Sequence, residues 1–181
     1  SEKEDVLRRI KELLERLHEE NREVLTRIEK LLKDNKERND DVLRRITELL
    51  KEVTKRAKDR GKPRDDLERL IRELERTLKE LAERVKKLDE DLKKTVDDLR
   101  REVERLNEEL ERMLRELTKL ADRVGTEEVR KRVEDVVRKN KEVARELLDR
   151  VRKLSERNKR AIDKLLEEVK RVLEEVERAL K

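Results

Sequence analysis

The chain of 181 residues lacks most of the side chains from which active sites are built. It has no cysteine, which excludes disulfides, thiol chemistry and thiolate metal ligands. Its single histidine, in the absence of cysteine, cannot assemble a Ser-His-Asp or Cys-His set. Its two glycines, Gly61 and Gly125, lie far apart in the chain, which excludes a glycine-rich phosphate loop. We therefore expect no enzymatic activity, no cofactor and no metal site.

Aromatic residues and long apolar runs are also missing. Without Phe, Tyr or Trp, the chain lacks the aromatic side chains on which nucleic-acid bases usually stack. The longest apolar run is two residues, as at Leu13-Leu14, so neither a membrane span nor a signal-peptide core is predicted. Residues 55–64 are rich in Lys and Arg, but Asp59 lies within this cluster, which we interpret as solvated charge near a helix end. We expect no nucleic-acid partner and no membrane partner.

Charged residues and branched aliphatic residues make up most of what is present. The charged fraction is 57%, and the 54 basic and 49 acidic residues give a net charge of +5 with both signs interspersed. The apolar residues are nearly all Leu, Val and Ile. This composition is typical of a coiled coil or a long helix once the apolar residues are regularly spaced.

Helix-breaking residues occur at only two places along the chain. Gly61 and Pro63 have the order expected for a helix end followed by a helix start. Gly125 is predicted to terminate the second helix, and Thr126 is predicted to be the N-cap of the third. The uninterrupted segments predict three helices, at about residues 2–60, 63–124 and 126–181.

The predicted fold class is all-α, an elongated antiparallel bundle of three very long helices that forms one domain over residues 1–181. At about 1.5 Å per residue, each helix is about 85–90 Å long. Because the two connections are short, neighbouring helices must run antiparallel. Ser1 and Glu4 have the spacing of a capping box at the start of the first helix.

The apolar residues recur at a constant spacing, an 18-residue repeat, in every predicted helix. The equivalent positions are Val6, Val24 and Val42 in the first helix, Leu74, Leu92 and Leu110 in the second, and Val129, Leu147 and Leu165 in the third. One such repeat fills five turns of an α-helix at about 3.6 residues per turn. It imposes neither hand of supercoiling, so nearly straight helices are predicted. Each helix carries one apolar stripe and a wide charged face.

These features resemble those of de novo designed, parametrically generated helical bundles. The 18-residue repeat, the minimal turns at residues 61–63 and 125–126, and exposed pairs such as Glu12 and Arg16 carry the resemblance, which covers the whole chain. The resemblance implies a stable monomer or a subunit of a designed assembly, with no evolved activity. It also implies that the chain is located wherever its expression host produces it.

Eight polar residues interrupt the apolar stripes or lie at their edges. They are Asn21, Asn35 and Asn39 in the first helix, Thr77 and Thr95 in the second, and Asn140, Ser155 and Asn158 in the third. An unpaired buried amide costs about 1–3 kcal/mol, which predicts that these groups are paired. Our hypothesis is a cross-helix hydrogen-bond network, with Asn35, Thr95, Ser155 and Asn158 at similar heights. The alternative is that some of these amides lie on water-accessible seams.

Glu15 and His18 have the Glu-x-x-His spacing found in di-iron bundles. Such a site needs a second copy of the motif and two further carboxylates, and His18 is the only histidine. Glu15 also lies far from the apolar stripe. We therefore expect His18 at the edge of the stripe or on the surface, without a metal.

Two functions from different classes fit these observations. The first is a structural scaffold, a self-contained monomer that requires no partner. The second is an interaction module, in which a seam accepts a partner helix or a second copy. The tight turns favour the monomer, whereas the asparagines of the first and third helices favour the module because polar layers select partners.

Overall fold

The computed structural model describes residues 1–59 and 65–180, and nearly all of them are helical. Helix α1 spans Glu2–Asp59, helix α2 spans Asp65–Leu120, and helix α3 spans Thr126–Leu180. The predicted all-α bundle of three very long helices is confirmed. The predicted turn at residues 61–63 lies outside the described residues.

The N-terminus of α1 has the capping arrangement that the sequence predicts. The backbone amide of Glu4 donates to the Ser1 Oγ at 3.4 Å, and the Asp5 amide donates to the Ser1 carbonyl at 3.1 Å. The Glu4 carboxylate in turn lies 3.7 Å from the Ser1 amino group. These contacts satisfy amides that the first turn of a helix leaves without partners.

Helix α2 ends at Leu120, before the predicted end at residue 124. The amides of Asp122 and Arg123 bond three residues back instead of four, at 3.3 and 2.9 Å. This tightening of the last turn is common at helix ends. The apolar pattern continues through Val124, whose amide still bonds four residues back to Leu120 at 3.1 Å, so the pattern does not reveal the change of bonding at residues 122 and 123.

The N-cap of α3 is Gly125, so the prediction that Thr126 caps this helix was wrong. The Gly125 carbonyl accepts the first helical bond, from the Val129 amide at 3.3 Å, and Thr126 is the first helical residue. The φ angle of Gly125 lies outside the left-handed region, and a Cβ at this position would meet no atom within 4 Å. Gly125 therefore begins α3 rather than terminating α2 in a left-handed conformation.

The chain divides into two compact units, and each contains a segment of every helix. Unit 1 comprises Ser1–Leu31 and Thr95–Lys153. One of its apolar clusters lies near the connection between α2 and α3. The cluster contains Ile10, Leu17, Leu110, Leu114, Leu117, Val129 and Val136.

Unit 2 comprises Leu32–Lys94 and Leu154–Lys181. Its apolar cluster is larger and also draws on all three helices. The cluster contains Val42, Ile46, Leu49, Val53, Ile71, Leu74, Leu78, Leu81, Val85, Ile162, Leu165, Val169 and Val172. The members recur at the helical spacing that the sequence repeat predicts. Whether the two units form the single domain predicted over residues 1–181 stays a prediction.

Polar contacts give the helix directions within each unit. In unit 1, His18 of α1 contacts Asn107 of α2, and Glu29 of α1 contacts Arg100 of α2. The residue number in α2 therefore falls as the residue number in α1 rises. The same holds for Asn39 with Asp89 and for Thr54 with Glu75 in unit 2. Helix α2 therefore runs antiparallel to α1 in both units, as the sequence predicts.

Replacing Gly125 with Ser tests the assignment of the α3 N-cap. A serine hydroxyl at an N-cap bonds an amide of the first turn, and the substitution also reduces the freedom of the unfolded chain. We expect the free energy of unfolding to rise by about 0.5 kcal/mol in a denaturant titration. A loss of about 1 kcal/mol or more would instead indicate that Gly125 adopts a left-handed conformation.

Candidate functional site

Two layers of interhelical hydrogen bonds contain all the buried polar side chains of the described residues. The five buried polar side chains are all asparagines, between 0 and 4% exposed, namely Asn21, Asn35, Asn39, Asn140 and Asn158. Every buried side-chain nitrogen and oxygen in the described part of the chain has a hydrogen-bond partner. The cost of burying these amides is therefore offset by bonds between helices.

The Asn21 layer lies in unit 1 and consists of Asn21, Asn107, Asn140 and His18. Asn21 and Asn140 form a reciprocal amide pair, in which each Nδ2 donates to the other's Oδ1 at 3.1 and 3.0 Å. Asn21 Nδ2 also donates to the Asn107 Oδ1 at 2.8 Å, and His18 Nδ1 lies 3.3 Å from the same oxygen. One layer thus connects all three helices.

The Asn39 layer lies in unit 2 and consists of Asn35, Asn39, Asp89, Ser155 and Asn158. Asn39 and Asn158 form a second reciprocal pair, at 3.4 and 3.1 Å. Asn158 also donates to the Asn35 Oδ1 at 3.0 Å, and Asn35 donates to the Ser155 Oγ at 3.3 Å. The Asp89 carboxylate accepts from Asn39 at 3.4 Å, which brings α2 into the layer.

The two layers are equivalent under the sequence repeat. Asn39 and Asn158 follow Asn21 and Asn140 by one repeat, and Asp89 precedes Asn107 by one repeat. The order is reversed in α2 because this helix is antiparallel. The layers differ at one further pair of positions, since Leu17 and Val137 stand in unit 1 where unit 2 has Asn35 and Ser155. The Asn39 layer therefore contains an additional hydrogen-bonded pair.

Six of the eight polar residues singled out from the sequence belong to these layers. They are Asn21, Asn35, Asn39, Asn140, Ser155 and Asn158. Thr77 is partly buried, and its hydroxyl donates to the Glu73 carbonyl of its own helix at 3.0 Å. Thr95 belongs to unit 1, whereas the three residues predicted to lie at its height belong to unit 2. Its participation in a network stays a prediction.

The sequence reasoning missed the α2 members of both layers, Asn107 and Asp89. Both side chains are partly buried and lie at the edge of the α2 stripe, where a polar residue is expected in any case. The available signal was their separation by one repeat, which matches the separation of the α1 and α3 asparagines.

His18 lies at the stripe edge, with 27% of its side chain exposed. Its Nε2 lies 3.4 Å from the Glu111 carboxylate, while its Nδ1 faces Asn107. Within residues 1–59 and 65–180, no group of three or more His, Cys, Asp or Glu side chains could hold a metal ion. His18 therefore extends the Asn21 layer towards solvent by connecting Asn107 with a surface carboxylate.

Two ion pairs between α2 and α3 are inverted in sign between the units. In unit 1, Arg150 of α3 pairs with Glu102 of α2, and in unit 2, Glu168 of α3 pairs with Arg84 of α2 at 2.8 Å. Arg84 and Glu102 are one repeat apart in α2, and Arg150 and Glu168 are one repeat apart in α3. Equivalent positions in the two units therefore carry opposite charges. Displacing α2 along α3 by one repeat would bring Glu102 to Glu168 in one direction and Arg84 to Arg150 in the other. Either displaced register places like charges together.

Glu29 and Arg100 form a bidentate pair between α1 and α2 in unit 1. The Arg100 Nε and the second guanidinium nitrogen lie 2.5 and 2.7 Å from the two Glu29 carboxylate oxygens. The hydrogen bond from Arg100 holds the pKa of Glu29 below its ordinary value, although partial desolvation acts in the opposite direction. The same bond raises the pKa of Arg100.

Comparison with known proteins assigns no family to the chain. No protein-family profile matches it, and neither a curated protein nor a solved structure is significantly similar to it. Among the helical segments that the structure describes, none is long and apolar enough to cross a membrane.

Replacing Asn21 with Leu tests the contribution of the amide pair to stability. The single substitution leaves Asn140 buried without its partner, so we expect the free energy of unfolding to fall by about 1–3 kcal/mol. Replacing both Asn21 and Asn140 with Leu removes the unpaired group, so the double variant should recover most of this loss. Denaturant titrations of the two single variants and the double variant give the coupling energy. Additive losses would contradict a paired layer.

Replacing Glu29 with Gln tests the ion pair through its pH dependence. Because folding lowers the pKa of Glu29, its stabilisation is fully present above the ordinary pKa of 4.5 and is lost as the pH falls through the folded value. Both side chains are substantially exposed, so we expect a loss of less than about 1 kcal/mol at pH 7. The difference in free energy of unfolding between the variant and the parent should be smaller at pH 3 than at pH 7.

The matched control is Glu19→Gln, at an exposed position of α1 that forms no ion pair with any described residue. Its free energy of unfolding should follow that of the parent at both pH values. A deficit in Glu29→Gln that is as large at pH 3 as at pH 7 would show that the carboxylate charge is not responsible.

Proposed function

We propose that the chain is a designed structural scaffold, a monomeric three-helix bundle without a biochemical activity of its own. The observation that carries this proposal is the pairing of every buried polar side chain of the described residues into the Asn21 and Asn39 layers. In an active site, by contrast, polar groups are held ready for a ligand or a reacting atom. Here the buried polar groups are used by contacts between helices.

The physical role of the layers in this proposal is to select one register. Leucine and valine contacts are non-directional, and stripes with a regular repeat match at several displacements. Displacing α1 by one repeat would move Asn35 from Ser155 to Val137, which cannot accept its hydrogen bond. The inverted ion pairs between α2 and α3 oppose a displacement of α2 in the same manner. Together they disfavour registers that the apolar stripes alone would accept.

A designed origin is supported by the regularity of the repeat in all three helices. The polar layers follow the same 18-residue spacing as the apolar core, including the reversed order in α2. The apolar pattern, the helix cap at Ser1 and the pairing of the buried polar groups all favour the same fold. Such agreement is expected of a sequence chosen to specify one structure.

The second candidate is a designed interaction module, either a subunit of an oligomer or an acceptor for an additional helix. Two large apolar side chains on α3 favour this candidate. Val143 in unit 1 and Leu173 in unit 2 are each 38% exposed, although both continue the apolar pattern of their helix. A partner helix or a second copy would cover such positions.

The mass in solution separates the two candidates. A scaffold that satisfies its own stripes should elute as one species of 22.0 kDa by light scattering coupled to size exclusion, from micromolar to millimolar concentration. Light scattering reports mass independently of shape, which matters for a chain with such long helices. A mass of twice this value, or a mass that rises with concentration, would support the interaction module instead.

A further inference from the structure

A groove between α2 and α3 in unit 2 combines an apolar floor with an excess of positive charge. The floor consists of Leu88, Ala161 and Leu165, and the groove has a volume of about 410 Å³. Five cationic side chains and one carboxylate complete the lining. They are Arg84, Lys87, Arg157, Arg160, Lys164 and Asp91. We call this feature the cationic groove.

Most of these cations have no ion-pair partner among the described residues. Arg84 pairs with Glu168 at 2.8 Å. The other four cations of the cationic groove make no ion pair with any residue in the described part of the chain. The cations of α3 are exposed and follow one face of the helix at residues 157, 160 and 164, at the edge of the apolar floor. Like charges at this spacing on a helix repel one another.

The equivalent groove of unit 1 lacks this charge, although the apolar residues are similar. One repeat away, Leu106 and Val143 correspond to Leu88 and Ala161. At the charged positions, however, Glu142 stands in place of Arg160, and Glu146 stands in place of Lys164. The positive charge of the cationic groove is therefore not a consequence of the repeat, and the apolar packing below it does not require it.

We propose that the cationic groove binds a soluble anionic amphiphile, a molecule with an apolar body and a sulfonate, phosphate or carboxylate group. The apolar body would lie on Leu88 and Ala161, which are partly exposed, and removing their exposed surface from water favours binding. The anionic group would accept hydrogen bonds from Arg157 and Arg160, since guanidinium groups bind such oxygens in a bidentate manner. This binding property goes beyond the scaffold role and does not depend on it.

The probe that tests the proposal is 8-anilinonaphthalene-1-sulfonate, whose emission rises when it leaves water. The chain contains no Phe, Tyr or Trp, so protein fluorescence does not interfere. We expect saturable binding to one site per chain, with an affinity that decreases by more than about threefold between about 20 and about 200 mM salt as the Debye length falls. Absence of saturable binding, or binding that is insensitive to salt, would overturn the proposal.

The double substitution Arg160→Glu/Lys164→Glu gives the α3 side of the cationic groove the charge signs of its unit 1 counterpart. Both side chains are exposed, so circular dichroism should report an unchanged helix content. We expect the affinity for the probe to fall at least tenfold, which corresponds to about 1.4 kcal/mol. An affinity equal to that of the parent would overturn the assignment of the site.

The matched control is Lys159→Glu/Lys170→Glu, which makes the same change of net charge at exposed α3 positions outside the cationic groove. Its affinity should stay within about twofold of the parent, because neither side chain lines the groove and salt screens exposed charges. A loss as large as that of Arg160→Glu/Lys164→Glu would show that overall charge, rather than the groove, attracts the probe.

The repeat also allows the site to be transplanted. Glu142→Arg/Glu146→Lys gives the α3 side of the unit 1 groove the charge signs of the cationic groove on an apolar floor of Leu106 and Val143, while Glu102 remains in place of Arg84. We expect this variant to bind two probe molecules per chain by titration calorimetry. A stoichiometry that stays at one would overturn the inference that these two cations on an apolar floor form the site.

Discussion

The pairing of amides inside the bundle is the interaction on which the arrangement of the helices depends. In the Asn21–Asn140 pair, each side chain is at once donor and acceptor, so both bonds form only when the two helices stand at one height. Apolar contacts have no such requirement, because burial depends on the angular position of a residue and not on the direction of a bond. The layers therefore contribute more to the uniqueness of the fold than to its total stability.

Much of the architecture follows from the sequence because burial has a simple geometric cause. A residue in the apolar stripe of an α-helix faces the neighbouring helices whatever their register, so the stripes and the inward position of Asn21, Asn39, Asn140 and Asn158 could be predicted. Asn107 could not be found in this manner. It lies at the stripe edge, and its role depends on the height of the neighbouring helix, which the angular position does not determine.

The helix ends were the least accurate part of the prediction, for a related reason. The apolar pattern passes through Val124, but the backbone changes its bonding beyond Leu120. The position of the α3 N-cap is likewise set by the backbone. Thr126 is a residue type that favours this position, but the carbonyl that accepts the first helical bond belongs to Gly125. The periodicity of the side chains indicates which face of a helix is buried. Where a helix begins and ends depends on local backbone hydrogen bonds, which the periodicity does not indicate.

Positions that differ between successive repeats distinguish one helix register from another, which an exact repeat cannot do. With an ideal 18-residue repeat, displacing one helix by five turns would leave the types of side-chain contact unchanged wherever the helices still overlap. Unit 2 has Asn35 where unit 1 has Leu17, and Arg84 where unit 1 has Glu102, so these contacts change when a helix is displaced. Arg160 likewise stands where unit 1 has Glu142. Some of these differences are used within the bundle, as in the ion pair of Arg84 with Glu168. Arg160 forms no ion pair with any of the described residues, so its charge remains available to a ligand.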